Sequence, residues 1–332
     1  MSAADLHQDA FVIDAHSDIL MDVRARRRGG ELHGPEDRVI ERHHLAGMRT
    51  GGVDALVLAL YVEPHFREAT LREDLLMIDD LYREIAESDG GIHLILTRQD
   101  AEAAPKRDGL SVLLSLEGTE ALAGDLGILR LMFDLGLRAV GLTWFGRTMA
   151  ADGSGEEEAG GGLTRFGRDV IRECNRLGML VDVSHLSERG FWDVLKLAQG
   201  PVIASHSNAR ACCDHHRNLT DDQLRAIAQT GGDVGLNAYH EFVDAEHPTL
   251  DRLLDHGEHM ADVMGPGHVG LGLDFVDYQP GFDSSAVKGL PDSASVPAIT
   301  AGLRARGVDE TEIRNILGEN WLRVWREVLP AA

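Results

Sequence analysis

Short, continuously apolar runs alternate with amphipathic helical patterns along almost the whole chain, and few folds accommodate such an order. The runs are FVID (Phe11–Asp14), VDALVLAL (Val53–Leu60), SVLLSLE (Ser111–Glu117), RAVGLT (Arg138–Thr143), LVDVS (Leu180–Ser184), PVIAS (Pro201–Ser205), DVGLN (Asp233–Asn237) and HVGLGLD (His268–Asp274). They are too short and too uniformly apolar for half-exposed antiparallel strands, and read as parallel strands covered on both faces. Between them, Leu71, Leu75, Ile78, Tyr82 and Ile85 step by four and three residues and predict a helix over 71–87. Helices over 166–177 and 221–229 are predicted likewise, the second with Thr220 as N-cap ahead of Asp221 and Asp222. Eight strands alternating with helices predict an α/β chain folded as a (β/α)8 TIM barrel, with residues 1–332 as one domain. The competitor, a doubly wound open sheet, needs a GxGxxG turn after an early strand, and none follows Phe11–Asp14.

Charge and cysteine usage narrow the class of function. Lys and Arg total 32 against 55 Asp and Glu, a formal net charge of −23. A field of that sign repels polyphosphate, so neither a nucleic acid nor an anionic membrane surface is expected as a partner. Cys174, Cys212 and Cys213 are odd in number, two are adjacent, and no CxxC spacing occurs, which fits neither a disulfide framework nor a zinc knuckle. The opening MSAADLHQDA lacks a basic and apolar leader, and the most apolar stretch, Val53–Val62, contains Asp54 and is too short to span a bilayer. A cytoplasmic enzyme, by class a homodimer, is the expectation. The segment 150–162, rich in Gly and Glu after the fourth run, reads either as a mobile acidic loop on the active face or as an ordinary solvated loop.

Chemistry-bearing side chains collect at the ends of these runs. His16 and Asp18 follow the first run at i and i+2, so both project to one side; they can ligate a cation or simply pair with each other. Glu117 closes the third run, where a carboxylate after apolar residues needs a partner, whether a metal, an Arg or solvent. His185 and His206 each follow a run that ends in Ser, 21 residues apart, the span of one parallel crossover. Matched histidines at neighbouring strand ends converge on one spot. Asp274 ends the eighth run, and barrel closure returns it beside His16 as a further ligand, a proton acceptor or a turn residue. Three histidines and two or three carboxylates exceed one tetrahedral zinc and fit two ions about 3.5–4 Å apart sharing a carboxylate. Lys106, Lys196 and Lys288, the only lysines, stand away from strand ends, leaving Glu117 as the available bridge.

The stretches DAHSD, LEGTEAL, GLTRFGRDVIRECNRLGMLVDVSHLS, PVIASHSNAR, HHRNLTDDQL, GLGLDF and IRNILGENWLRVW, in this order from residue 14 to about 325, resemble the membrane dipeptidase (renal dipeptidase) family of binuclear zinc peptidases in the amidohydrolase superfamily. The resemblance implies two zinc ions per chain, one held by His16, Asp18 and Glu117 and the other by Glu117, His185 and His206. It further implies Asp274 as the proton-transfer residue, Arg217 as the clamp on the substrate's terminal carboxylate, and Tyr239 as a pocket-lining residue. A guanidinium fork suits that carboxylate. One position departs from the family: Trp144 stands in GLTWFGR where the dipeptide-cleaving member carries a substrate-contacting histidine. Indole donates one hydrogen bond and does not titrate, and losing an oxyanion donor can lower a rate by about 10²–10³. Either another group such as Arg147 substitutes, or the metals alone polarise the carbonyl, or the substrate differs.

The expected function is hydrolysis of the amide bond of a dipeptide by a hydroxide bridging the zinc ions; that a D-residue can stand at the C-terminal position is implied by the family resemblance and not by the residues themselves. Two alternatives stay open at this level. One is a binuclear amidohydrolase or lactonase acting on something other than a dipeptide; the other is a metal-stabilised barrel that binds without catalysis.

Overall fold

The structure, a computed structural model, describes residues 1–29, 34–63, 69–279 and 286–331. Its strands are β1 (Val12–Ser17), β2 (Val53–Leu60), β3 (Ile92–Leu94), β4 (Leu110–Glu117), β5 (Leu137–Gly141), β6 (Leu180–Asp182), β7 (Val202–Ile203), β8 (Val234–Leu236) and β9 (Val269–Leu271). All pair in parallel, in the order β7-β6-β5-β4-β2-β1-β9-β8. A parallel bridge from Ala204 to Val234 joins the two ends. The ring is the (β/α)8 barrel expected from the alternation of runs.

The strand β3 has no counterpart in the sequence reading. It pairs with Leu110–Val112 on the same edge of β4 that β5 occupies from Leu114 to Glu117, so it lies off the ring of eight. Other runs are strand over only part of their length. LVDVS and PVIAS leave the ladder early because Asp182 Oδ1 captures the backbone N–H groups of Ser184 (2.9 Å) and Ser205 (3.0 Å). The three predicted helices are Thr70–Glu87, Arg165–Leu177 and Asp221–Gln229. Thr220 caps the last of these, in a reciprocal pair with Gln223.

The segment 150–162 is anchored rather than loose. Ala150, Ala151, Asp152 and Ser154 are buried, Ala151 bridges to Leu163, Gly153 bridges to Leu186, and Arg147 pairs with Asp152. Its tip around Gly155–Gly160 is the part most open to solvent, so the acidic residues there form a solvated rim on a pinned base.

One apolar layer packs the outer faces of the strands against the helices. A second fills the lower barrel with Ile13, Ala15, Ala55, Val57, Leu113, Ala139, Leu180 and Ile203. The helix Asn320–Val328 closes that end with fully buried Trp321 and Trp325, and the small residues Ala15, Ala55 and Ala139 leave room for the indoles. Trp321 Nε1 donates to the Leu271 carbonyl at 2.9 Å, so its buried polar atom is satisfied. Among the described residues no helix is long and apolar enough to cross a membrane.

Candidate metal centre and substrate cleft

The polar end of the barrel begins with an irregularity in β1. Asp14 sits opposite Leu56 and Ser17 opposite Leu58, so three steps on β1 span two on β2. The extra residue re-aims the chain. Asp14 and Ser17 face a small cavity behind the strand, whereas His16 and Asp18 face the main cleft. Asp18 occupies the N-cap position of the helix Ile19–Arg28 yet makes no capping bond. Its Oδ1 lies 3.7 Å from His16 Nε2 instead.

Glu117, at the end of β4, turns its two oxygens to two different sets of side chains. Oε2 is 3.8 Å from His16 Nε2, while Oε1 is 3.0 Å from His185 Nε2 and 3.6 Å from His206 Nε2. His16 and His206 stack with ring centroids 3.7 Å apart. Asp274 Oδ1 approaches His16 Nε2 at 3.8 Å, and its Oδ2 accepts from Asn237 Nδ2 at 3.1 Å. Two groups, His16 with Glu117 and His206, and His16 with Asp18 and Asp274, each bring ligand atoms within 4.8 Å of one another. Two of the five non-glycine residues described with positive φ are His185 (φ 67) and Asp274 (φ 54). Such backbone is costly for ordinary residues and concentrates where a side chain has to be aimed.

The electrostatics of this cluster call for a cation. Burial pushes the Glu117 carboxyl well above its usual range, with Asp18 and Asp274 adding to the effect. Burial also raises Asp274 to about 6. At His16 burial opposes the charged form, but Glu117, Asp18 and Asp274 outweigh it and lift the imidazole to about 10. Positive charge is thus drawn to the point where three carboxylates meet. Burial, reinforced by neighbouring positive charge, holds His185 and His206 well below the usual imidazole range, leaving neutral rings of the kind that ligate metals. Their Nε2 atoms are 2.8 Å apart, and facing lone pairs repel unless a proton or cation lies against them. Asp18 Oδ1 and Glu117 Oε2 are buried without a hydrogen-bond partner. Imidazoles, carboxylates and orphaned oxygens in this arrangement fit a borderline divalent ion such as zinc.

A cleft of about 440 Å³ opens over the cluster, a size suited to a small molecule. Of the residues singled out from the sequence, His16, Asp18, Glu117, Trp144, His185, Arg217, Tyr239 and Asp274 line it, and His206 stands just behind His185. Arg217 is buried, with Nη2 donating to the His206 carbonyl at 3.1 Å and Nε left without a partner. Burial lowers its guanidinium to about 10, so it stays charged at neutral pH. Trp144 packs against Tyr61 (5.1 Å between centroids), Phe145 (6.0 Å) and His185 (6.2 Å). Arg147, the sequence candidate to replace a missing oxyanion donor, is not among the cleft residues and is tied to Asp152 by two bonds.

Sequence reasoning passed over several supporting side chains. Asn237 orients Asp274, and Asn208 holds Asn237 in turn by accepting its backbone N–H at 3.0 Å. Asp182 bonds Ser205, which bonds His206. The available signal is a polar residue within or closing an otherwise apolar buried run, as at Asp182 in LVDVS and Asn237 in DVGLN.

Comparison with known proteins gives the chain a family. The model of the membrane dipeptidase family (peptidase family M19) matches residues 1–332. An uncharacterised protein of the pqqA 5′ region in Klebsiella pneumoniae is 36% identical over 256 residues, 74% of this chain and 92% of its own length. A dipeptidase of Clonostachys rogersoniana, verJ, is 34% identical over 260 residues, 78% of this chain and 66% of its own. Among solved structures, a metallopeptidase described as dipeptidase AC superposes with a TM-score of 0.86 at 30% identity, covering 97% of this chain and 99% of that one. A metallopeptidase of Rhodobacter sphaeroides, bound to a phosphinate mimic of L-Ala-D-Ala, gives 0.84 at 30% identity over 96% and 99%. A whole-chain family match and near-complete superposition on metallopeptidases coincide with a cluster built for a cation, and the chain therefore belongs to the membrane dipeptidase family, as a metallo-dipeptidase.

Proposed function

We propose that this protein hydrolyses dipeptides with two zinc ions per chain, one held by His16, Asp18 and Glu117 and the other by Glu117, His185 and His206. The observation that carries this reading is the division of Glu117, whose Oε2 faces His16 while Oε1 faces His185 and His206. A carboxylate shared in this way is what a paired-ion site requires. When bound, the ions supply an activated water and polarise the scissile carbonyl.

The chain's own residues do the rest. Arg217 receives the substrate's terminal carboxylate, since its Nε is unpartnered and its charge survives burial. Glu63 and Glu241 line the same cleft and give the free amine an acidic rim. Asp274, held by Asn237, takes up a proton at its carboxylate and delivers it to the leaving amine. Tyr239 and Trp144 wall the substrate's side chains, Trp144 without a titratable group. The mimic of L-Ala-D-Ala bound by the Rhodobacter sphaeroides neighbour supports acceptance of a D-residue at the C-terminal position. Three free thiols fit a reducing, cytoplasmic setting, and a homodimer is the working assembly.

A hydrolysis panel of L,L- and L,D-dipeptides, N-acyl amino acids and lactones, run on zinc-loaded protein, tests the reading. Turnover of free dipeptides in preference to the rest is expected. Preferred turnover of lactones or N-acyl amino acids overturns the substrate assignment, and no turnover of any class by metal-replete protein overturns catalysis itself.

A further inference from the structure

A buried chain of hydrogen bonds runs from Asp182 through Ser205 to His206, all three at most 5% exposed. Asp182 Oδ1 accepts the backbone N–H groups of Ser184 and Ser205, and its Oδ2 accepts the Ser205 hydroxyl. The Ser205 oxygen lies 2.6 Å from His206 Nδ1. A serine hydroxyl has one proton to give. With that proton committed to the carboxylate, the oxygen can only accept from Nδ1, so the ring carries its proton on Nδ1 and turns a bare Nε2 toward Glu117 and His185.

The surroundings hold this geometry rigidly. A Cβ on Gly235 or Gly272 would fall 2.0 or 1.7 Å from the Ser205 carbonyl oxygen, so bare backbone is required where β8 and β9 pack against the turn. The His206 carbonyl is fixed by Arg217 Nη2 at 3.1 Å and approached by Asn237 Nδ2 at 3.5 Å.

We infer that Asp182 and Ser205 are positioning residues that set the tautomer of His206 through a one-way hydrogen-bond chain, presenting its Nε2 lone pair to the metal. The inference deepens the proposed ligand set and rests on His206 being a ligand. Outer partners of this kind fix ring orientation, and their loss typically weakens metal affinity about 10–100-fold. The chain's direction depends on the acceptor at its far end. Asp182→Asn keeps the size and an oxygen for the two backbone donors but brings an amide N–H to Ser205. The hydroxyl then accepts from the amide and donates to Nδ1, moving the ring proton to Nε2, where it blocks the ion.

Nitrogen-15 NMR of histidine-labelled, metal-free protein, with the His206 signal assigned by its loss in His206→Gln, reads this directly. The wild type should show the Nδ1–H tautomer, Asp182→Asn the Nε2–H tautomer, and Ser205→Ala a mixture. Chelator competition should show zinc at the His185–His206 position bound about 10–100-fold more weakly in Asp182→Asn. An Nε2–H ring in the wild type, no change of tautomer in either variant, or a switched tautomer with unchanged zinc affinity overturns the inference. Should His206→Gln bind zinc as the wild type does, the ligand assignment is what has failed, whereas the tautomer measurement needs no metal and judges the hydrogen-bond chain separately.

Discussion

The two ends of the barrel are built on opposite rules. At the lower end, Trp321 and Trp325 fill the space left by small inward residues, and the indole N–H of Trp321 finds a carbonyl. At the upper end, Asp18 Oδ1, Glu117 Oε2 and Arg217 Nε are buried with no partner, and His185 and Asp274 hold left-handed backbone. Unsatisfied buried polar atoms and unusual φ each oppose folding by order 1–3 kcal/mol. The other end holds fewer: at the foot of β8, Asp233 Oδ2 is buried without a partner while its Oδ1 accepts from Arg323. Stability and chemistry are thus assigned to opposite ends of the same eight strands, as the barrel architecture allows.

Substitutions at either end should therefore fail in different ways. Asp274→Asn should lower kcat by about 10²–10⁴ without lowering the melting temperature, because it removes the proposed proton carrier from a strained, charge-crowded site. Steady-state kinetics beside calorimetry checks this, and a large loss of stability would place Asp274 in the scaffold. Trp325→Ala should behave in reverse, losing about 3–5 kcal/mol in denaturant unfolding while the folded fraction keeps its kcat. A fall in kcat per folded molecule there would show that the ends are coupled rather than separate.

Much of this division can be read from the residues, and the exceptions have physical causes. The eight barrel strands are marked by apolar runs because burial on both faces leaves no polar face to interrupt them. The candidate metal ligands and Asp274 are marked by position, since a His or acid at the end of such a run lies on the rim, whereas Arg217 lies well beyond any run. What the runs do not mark is backbone irregularity. The bulge in β1 that separates Asp14 from His16 leaves no trace in FVIDAHSD, because it depends on pairing with β2. Asp182 sits within a run and reads as one more strand residue, although it is the last of β6 and its carboxylate ends the ladder by taking two backbone donors. The strand β3, three residues paired along one edge, is too short to carry a pattern of its own, and the segment 150–162 looks loose in composition while burial of Ala150–Asp152 pins it.

Smaller effects sharpen the picture at the cleft. Arg217→Ala should raise KM for free dipeptides about 10–100-fold with little change in kcat, the loss expected for a charge-assisted bond to the substrate carboxylate. Measuring dipeptides with amidated C-termini alongside isolates that contact, and equal KM changes for both would contradict the assignment. Trp144→Ala should have the mildest effect, raising KM for substrates with bulky side chains by about 3–10-fold through loss of the aromatic wall shared with Tyr61 and Phe145. A change confined to kcat would instead give the indole a part in the chemistry.

Glu117 would have to serve two ions at once, and metal content per chain by inductively coupled plasma mass spectrometry tests that most directly. Zinc-reconstituted wild type should hold two equivalents after removal of loosely bound ion, and His206→Ala should hold one. Wild-type protein that never exceeds one equivalent would contradict it.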